Sequence, residues 1–168
     1  MSRLTDRPIR ELLAAFASAA PTPGGGSAAA LTASVGLSLL AMVASMSRTR
    51  NGSDDDRALL DGALNAVEHL SAHTLALVDD DAAAYDAVME AYRKPRVTEE
   101  EKVERRRAIE AALRGAAEVP LEVMRACRAG LTAAVDVARA GTVNPSQFYD
   151  GAPDRSWPLR DLQVARGE

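Results

Sequence analysis

One stretch limits what this chain can become: Pro21-Thr22-Pro23-Gly24-Gly25-Gly26-Ser27, with the uncharged run Ala28 to Ser47 behind it. The prolines fix φ and remove backbone donors, so the approach to the glycines is stiff and non-helical. The glycines leave the backbone bare and free to turn. Ser27 reads as the N-cap of a helix beginning at Ala28, its hydroxyl accepting from the first free N–H groups. The expected product is a tight elbow beside the positive end of a helix dipole. Two uses fit it: a dock for an anionic or carbonyl-rich ligand, and a close crossing of two helices that needs clearance.

The run after the elbow is long enough to span a membrane. Its apolar residues are diluted by Ala, Ser, Thr and Gly, which weakens insertion and suits close packing in a soluble bundle. A helix uncharged on every side belongs inside a bundle or at an oligomer interface. Across the 168 residues the hydrophobic fraction is 47% but aromatics are only 4%, so a core must be built from Ala, Leu and Val on close-packed helices. A net charge of −4 argues against nucleic acid as a partner. The single cysteine, Cys127, excludes an intrachain disulfide and fits a reducing compartment. Charges at Arg3, Asp6, Arg7, Arg10 and Glu11 interrupt any signal-peptide core. The expectation is a cytoplasmic protein that does not enter a membrane.

Thr5 or Asp6 can cap a first helix carrying Ile9, Leu12, Leu13 and Phe16 on one side and ending near Ala20. Beyond the Asn51-Gly52 turn, Ser53 to Asp56 forms a cap and acidic first turn for a long helix over Arg57 to Arg93. Leu60, Leu64, Val67, Leu70, Thr74, Leu77, Tyr85, Val88 and Tyr92 line one face of it. Pro95 ends that helix, and Thr98 with Glu101 forms a capping box that starts another. Pro120 is expected to kink or interrupt it, and the stripe Leu121, Met124, Cys127, Leu131, Val135 and Ala138 follows, stopped at Gly141. Residues 142–168 lack a sustained apolar period and read as an irregular tail beyond a helical domain at 1–141. With no convincing strand, the fold class is all-α: an up-and-down helical bundle with a long central helix.

The position missing from the long stripe, four residues after Leu77 and four before Tyr85, is Asp81. Asp79 and Asp80 fall on other faces and read as solvated. An inward carboxyl must be paired, hydrated in a cleft, or held neutral. A carboxyl held neutral by its surroundings suits proton transfer, and one bonded to a neighbouring Ser, Thr or Arg is structural. His69 and His73 share a face but lack a third ligand, so no metal is expected. Cys127 reads as a small core residue, and Arg105 to Arg107, amid Glu99, Glu100, Glu101, Glu104 and Glu110, as a salt-bridged wet face. The elbow is not a P-loop, because no strand precedes it and no Gly-Lys-Ser/Thr closes it.

PTPGGGSAAAL at Pro21 to Leu31, AMVASMS at Ala41 to Ser47, LVDDDAAAYDAVMEAYRKP at Leu77 to Pro95, TEEEK at Thr98 to Lys102 and AAEVPLEVMRAC at Ala116 to Cys127 lie in a recognisable order and spacing. Over roughly the first 140 residues the chain resembles the formimidoyltetrahydrofolate cyclodeaminase and methenyltetrahydrofolate cyclohydrolase family, and the elbow is the most specific of these signatures. The resemblance implies an all-helical homodimer acting on a one-carbon-substituted tetrahydrofolate. A cyclodeaminase closes N10 onto a formimino carbon and expels ammonia; a cyclohydrolase adds water to the methenyl bridge and reopens it. No cofactor beyond the folate substrate is implied. The resemblance puts general acid/base work on Asp81, with Gly24, Gly25, Gly26 and Ser27 lining the folate site.

Family members usually continue past the region of Gly141 to Asn144 into a Ser-Asp segment and further helices, for which Pro145 to Glu168 offer no equivalent. A non-catalytic binding or oligomerisation protein that lost those helices is therefore the competing expectation.

Overall fold

The structure, a computed structural model, describes residues 3–46 and 52–141. A short 3-10 turn at Leu4–Asp6 leads into α1 (Ile9–Phe16), α2 (Gly25–Ser45), α3 (Asp54–Arg93) and α4 (Glu99–Ala140). No strand occurs among the described residues, and the fold is all-α. The expected Asn51-Gly52 turn falls partly, and the expected tail wholly, outside the described residues.

Most boundaries follow from local chemistry. Ser53 caps α3, accepting from the Asp56 N–H while the Asp56 carboxylate accepts from Ser53; Thr98 and Glu101 do the same for α4. The amino-terminal helix is shorter than its stripe predicts. Pro8 forces Arg7 into extended backbone (φ −77°, ψ 147°), which splits off the 3-10 turn and leaves Pro8 itself as the N-cap of α1. Of the α1 stripe, Leu12 is buried and Phe16 half-buried, whereas Ile9 and Leu13 face outward.

The two 40-residue-class helices, α3 with 40 residues and α4 with 42, form a hairpin across Lys94–Thr98. Of the two expected effects of Pro120, interruption does not occur: α4 runs through it. Proline removes one N–H from the helical ladder, and packing on both sides of it, by Val119 and Val123 against Leu77 and Val78, holds the flanking turns in place. At ~1.5 Å per residue, the 21-residue α2 reaches only about half the length of α3. It lies antiparallel to α3, with Ser27 beside Asp81 and Ser34 beside Ser71. Beyond Asp81 the α3–α4 hairpin therefore continues without α2, as a two-helix arm ending at the turn.

Two apolar clusters hold the bundle. Leu37, Ala44, Leu60, Ala63, Val67, Ala133, Val137 and Ala140 form one; Leu4, Leu12, Ala30, Leu77, Val78 and Val123 form the other. A hydroxyl seam separates them. Ser34 donates to the Ser71 carbonyl at 3.1 Å, Ser38 and Ser71 hydroxyls meet at 2.9 Å, and Thr74 bonds the Leu70 carbonyl at 2.9 Å.

The face of α4 turned inward is not the one its larger apolar residues mark. Val123, Ala126, Gly130, Ala133, Val137 and Ala140 are buried, while Met124, Cys127, Leu131 and Val135 are exposed. Close approach decides this: a Cβ on Gly130 would stand 2.6 Å from Leu37 Cδ2, so α2 and α4 meet through small residues. Cys127 is accordingly a surface thiol, not a core residue. Helix α2 also keeps an uncovered flank of Val35, Leu39 and Met42. It is long and apolar enough to cross a membrane (mean hydropathy 1.8), with 28% of that window buried.

Candidate active site

The elbow and Asp81, far apart in sequence, meet in the fold. The helix after the glycines starts a turn earlier than predicted: Gly24 is the N-cap, with extended backbone (φ −108°, ψ −163°) and no side chain to cap with, and Gly25 is the first helical residue. Ser27 is therefore inside the first turn and does not act as the N-cap. Asp81 takes over that task from α3. The Ser27 N–H and the Ser27 hydroxyl both donate to Asp81 Oδ2, each at 2.8 Å. A carboxylate at a helix N-terminus satisfies orphan donors and complements the dipole.

The three glycines differ in what they do. A Cβ on Gly26 would fall 2.0 Å from Asp81 Oδ1, so the carboxylate reaches Ser27 only because residue 26 has no side chain. A Cβ on Gly24 would meet only the Pro21 carbonyl, at an ordinary 3.7 Å, and one on Gly25 would meet nothing within 4 Å. Gly26 is the clearance residue, and Gly25 lines the open side. Ser27 is fully buried, while Asp81 is half-buried at the edge where α2 ends. Asp81 Oδ2 is occupied by Ser27; Oδ1 accepts no hydrogen bond from the described residues. The arrangement fixes a carboxylate rigidly with one oxygen left over, next to exposed glycine backbone. It can hold a polar ligand against the elbow and exchange a proton with it.

Asp79, expected in solvent, is a structural latch. It accepts from the Leu4 N–H at 2.5 Å, the Thr5 hydroxyl at 2.7 Å and Arg3 Nε at 3.4 Å, tying the 3-10 turn to α3 two residues before Asp81. Burial pushes the Asp79 carboxyl up, but hydrogen bonds from Thr5, Leu4 and Arg3, with the Arg3 charge, outweigh it and hold it below its ordinary 3.8. The sequence did not mark this latch: Thr5 reads there as a cap for the first helix, whereas its hydroxyl is given to Asp79. Asp80 is exposed, as expected. His69 and His73 are exposed, with His73 Nε2 3.6 Å from Glu122 Oε2. Among the described residues no three His, Cys, Asp or Glu side chains converge as a metal site.

These features describe a helical-hairpin domain in which a glycine elbow receives one inward carboxylate. Residues 8–146 match the formiminotransferase-cyclodeaminase family, and the chain belongs to that family of folate one-carbon metabolism. It is 39% identical over 136 residues to a methenyltetrahydrofolate cyclohydrolase of Methylorubrum extorquens, covering 81% of this chain and 65% of that protein. It is 31% identical over 162 residues to the formimidoyltransferase-cyclodeaminase of Mus musculus, covering 96% of this chain and 28% of the relative. The corresponding pig protein is 35% identical over 118 residues, 70% of this chain and 22% of its own length. The chain thus spans about two thirds of the bacterial relative and less than a third of the mammalian ones. The match to the mouse protein takes in nearly the whole chain and so runs past Gly141.

Proposed function

We propose that the chain is a folate cyclohydrolase, acting on the methenyl bridge of 5,10-methenyltetrahydrofolate, with ammonia-releasing cyclodeamination as the sister reaction at the same site. The observation that carries the reading is Asp81, fixed through Oδ2 by Ser27 and with Oδ1 open beside the glycine elbow. The 39% relative named as a cyclohydrolase favours that branch over the other. In the hydrolytic reaction a water oxygen bonds to the bridging carbon, and Asp81 takes a proton from it. The C–N5 bond then breaks, that proton passes to N5, the hydroxyl left on the carbon gives its own proton to solvent, and the carbon remains on N10 as a formyl group. Gly24 and Gly25 line the substrate's side of the site, Gly26 leaves the clearance for Asp81, and Ser27, fully buried, contributes by holding that carboxylate. The folate supplies the reacting carbon, and the reaction as written calls for no metal or redox cofactor. We place the protein in the cytoplasm.

A homodimer completes the proposal. The flank of Val35, Leu39 and Met42 on α2 and the row Met124, Leu131 and Val135 on α4 leave large apolar side chains in water, and contiguous exposed apolar surface marks an association face.

The test follows loss of the methenyl-folate absorbance with the purified chain and its Asp81→Asn variant. Catalysis by the native protein and a fall of about 10²–10⁴-fold in the variant support the reading. Folded protein no faster than buffer, with neither substrate turned over, overturns it. The Ser27–Asp81 bonds also favour a second reading, in which the carboxylate only caps α2 and the domain binds or assembles without catalysis. In that reading the folded native protein turns over neither substrate, and Asp81→Asn, which keeps a capping oxygen, changes little.

A further inference from the structure

The arm beyond Asp81 ends in a depression of about 330 Å³ lined by Arg96, Lys102, Arg105, Arg106 and Ile109, four cations around one apolar side chain. The segment is rich in glutamates, yet none of them lines it. Glu99 is taken by Lys102 at 2.6 Å, Glu104 by Lys94 at 2.8 Å, Glu101 by the Val97 and Thr98 N–H groups, and Glu110 by Arg114 at 2.8 Å. Arg96 and Arg106 have no hydrogen-bond or ion-pair partner among the described residues. Arg105 is held in place: it donates twice to the Tyr92 carbonyl, at 3.1 and 3.3 Å, and its guanidinium lies over the Tyr92 ring, 5.6 Å from the centroid. The expected salt-bridged surface is thus partly sorted: Glu101, Glu104 and Glu110 are engaged away from the mouth, Glu99 pairs with Lys102 at its rim, and Arg96 and Arg106 are left over.

This mouth is in register with the elbow. Tyr92 is eleven residues after Asp81, three turns and about 20° on, or about 16 Å along α3. Tyr85 and Val88 lie on the same face between them. That face is bare because α2 stops at the level of Asp81, and Tyr85 and Tyr92 are 38% and 47% exposed. A carboxylate and two uncovered aromatic side chains therefore follow one another along α3, and the cationic depression lies beyond them, built by Arg96 of the connecting turn and by α4, which meets Tyr92 through Arg105.

We infer that Arg96, Lys102, Arg105 and Arg106 form a subsite for the carboxylate-bearing end of the ligand whose reacting end docks at Asp81. This rests on the folate reading above: the substrate has a bicyclic head, an aryl linker and a terminal glutamate with two carboxylates. The head meets the elbow, the aryl group passes the tyrosines, and the carboxylates are met by guanidinium groups, which bind them with paired, charge-assisted hydrogen bonds.

The experiment compares the full chain with an Arg96→Gln/Arg106→Gln variant, both positions being exposed and unpaired, so that the fold is kept; circular dichroism checks this. Turnover is measured on methenyltetrahydrofolate and on methenyltetrahydropteroate, which lacks the glutamate. The expected result is a KM raised roughly tenfold or more for the glutamate-bearing substrate, kcat held, and little change for the pteroate. Equal KM changes on the two substrates, or none, overturn the subsite while leaving the folate reading intact. Calorimetric titration of p-aminobenzoyl-triglutamate reads the subsite without turnover. Binding that weakens by a similar factor in the variant supports it even if neither substrate is turned over, an outcome that would remove the folate chemistry alone. A titration that is flat, or unchanged by the substitutions, counts against the subsite.

Discussion

Replacing Gly26 with alanine tests the junction of elbow and carboxylate more directly than any change to the carboxylate itself. The added Cβ would stand 2.0 Å from Asp81 Oδ1, 2.6 Å from Cγ and 2.9 Å from Oδ2. Asp81 is short but can rotate about χ1, so the clash is relieved by swinging the carboxylate away. The cost is then the pair of hydrogen bonds from Ser27, which is fully buried and cannot turn to water instead. Hydrogen bonds to a charged acceptor contribute about 1.5–3 kcal/mol each, and stranded buried donors cost about 1–3 kcal/mol. The Ser27 hydroxyl can rotate to a backbone carbonyl of its own turn and recover part of this. Alanine in a helix returns about 0.5–1 kcal/mol. The balance is a loss of about 2 kcal/mol, or roughly 4–8 °C in Tm for a chain of this size.

Gly25→Ala provides the control, because its Cβ would meet nothing within 4 Å and it gains only the helical preference. The two variants, one residue apart, should move thermal unfolding in opposite directions. Methenyl-folate turnover should fall with Gly26→Ala, since its carboxylate is displaced; Gly25→Ala, whose new methyl faces the ligand, is the control for stability alone. A Gly26→Ala protein as stable as Gly25→Ala would refute the steric reasoning and with it the placement of Asp81 against the elbow.

Asp79→Asn should release the amino-terminal turn, costing about 1–2 kcal/mol at pH 7 and opening the Arg3–Leu4 bond, held against Asp79 in the native protein, to trypsin ahead of the rest of the chain. Since the folded carboxyl lies below its ordinary 3.8, the latch contributes stability above 3.8 and loses it as the pH falls through the lower folded value. The stability gap between native protein and variant should therefore close only in acid below 3.8, by thermal melts across that range. Pro120→Ala restores a helical N–H within α4 and should raise the urea midpoint, by about 1–3 kcal/mol of stability; an unchanged or lower midpoint would mean the proline is accommodated without strain. Leu39→Asp and Leu131→Asp place a charge on each uncovered apolar face, and sedimentation should find the proposed dimer converted to folded monomer by one or both.

What could be read in advance was local. The capping boxes at Ser53–Asp56 and Thr98–Glu101 act within four residues, so their helix starts are written into the sequence. Asp81 was legible because it continues a stripe whose members before it, Leu60, Val67, Thr74 and Leu77, are buried; the stripe's expected continuation at Tyr85 and Tyr92 is exposed, because α2 does not reach that far. The face of α4 was not legible, because that helix carries two apolar rows. Size alone favours Met124 and Leu131, but the close approach of α2 at Gly130 selects the row of small residues. The start of α2 was misplaced for the same kind of reason. Ser27 has the chemistry of a local N-cap, and only a carboxylate fifty-four positions away in sequence makes Gly25 the first helical residue.

The bond from Ser27 to Asp81 is the one feature that both readings of the carboxylate share, so it cannot by itself choose between them. Substitution chemistry can. Asparagine keeps the carbonyl oxygen that accepts from the Ser27 N–H and is as good a cap as aspartate, but it cannot take up a proton as a base. Ser27→Ala keeps the carboxylate and its N–H partner while removing the hydroxyl donor. If Asp81 is only a cap, Ser27→Ala should damage the protein at least as much as Asp81→Asn, and turnover should track stability in both. If Asp81 carries protons, the order reverses for rate alone. Asp81→Asn should stay within about 1 kcal/mol of native stability, the scale of a neutral hydrogen bond, while losing turnover, and Ser27→Ala should melt earlier yet keep most of its rate below the transition. Opposite rankings by stability and by rate are beyond what a purely structural carboxylate can produce.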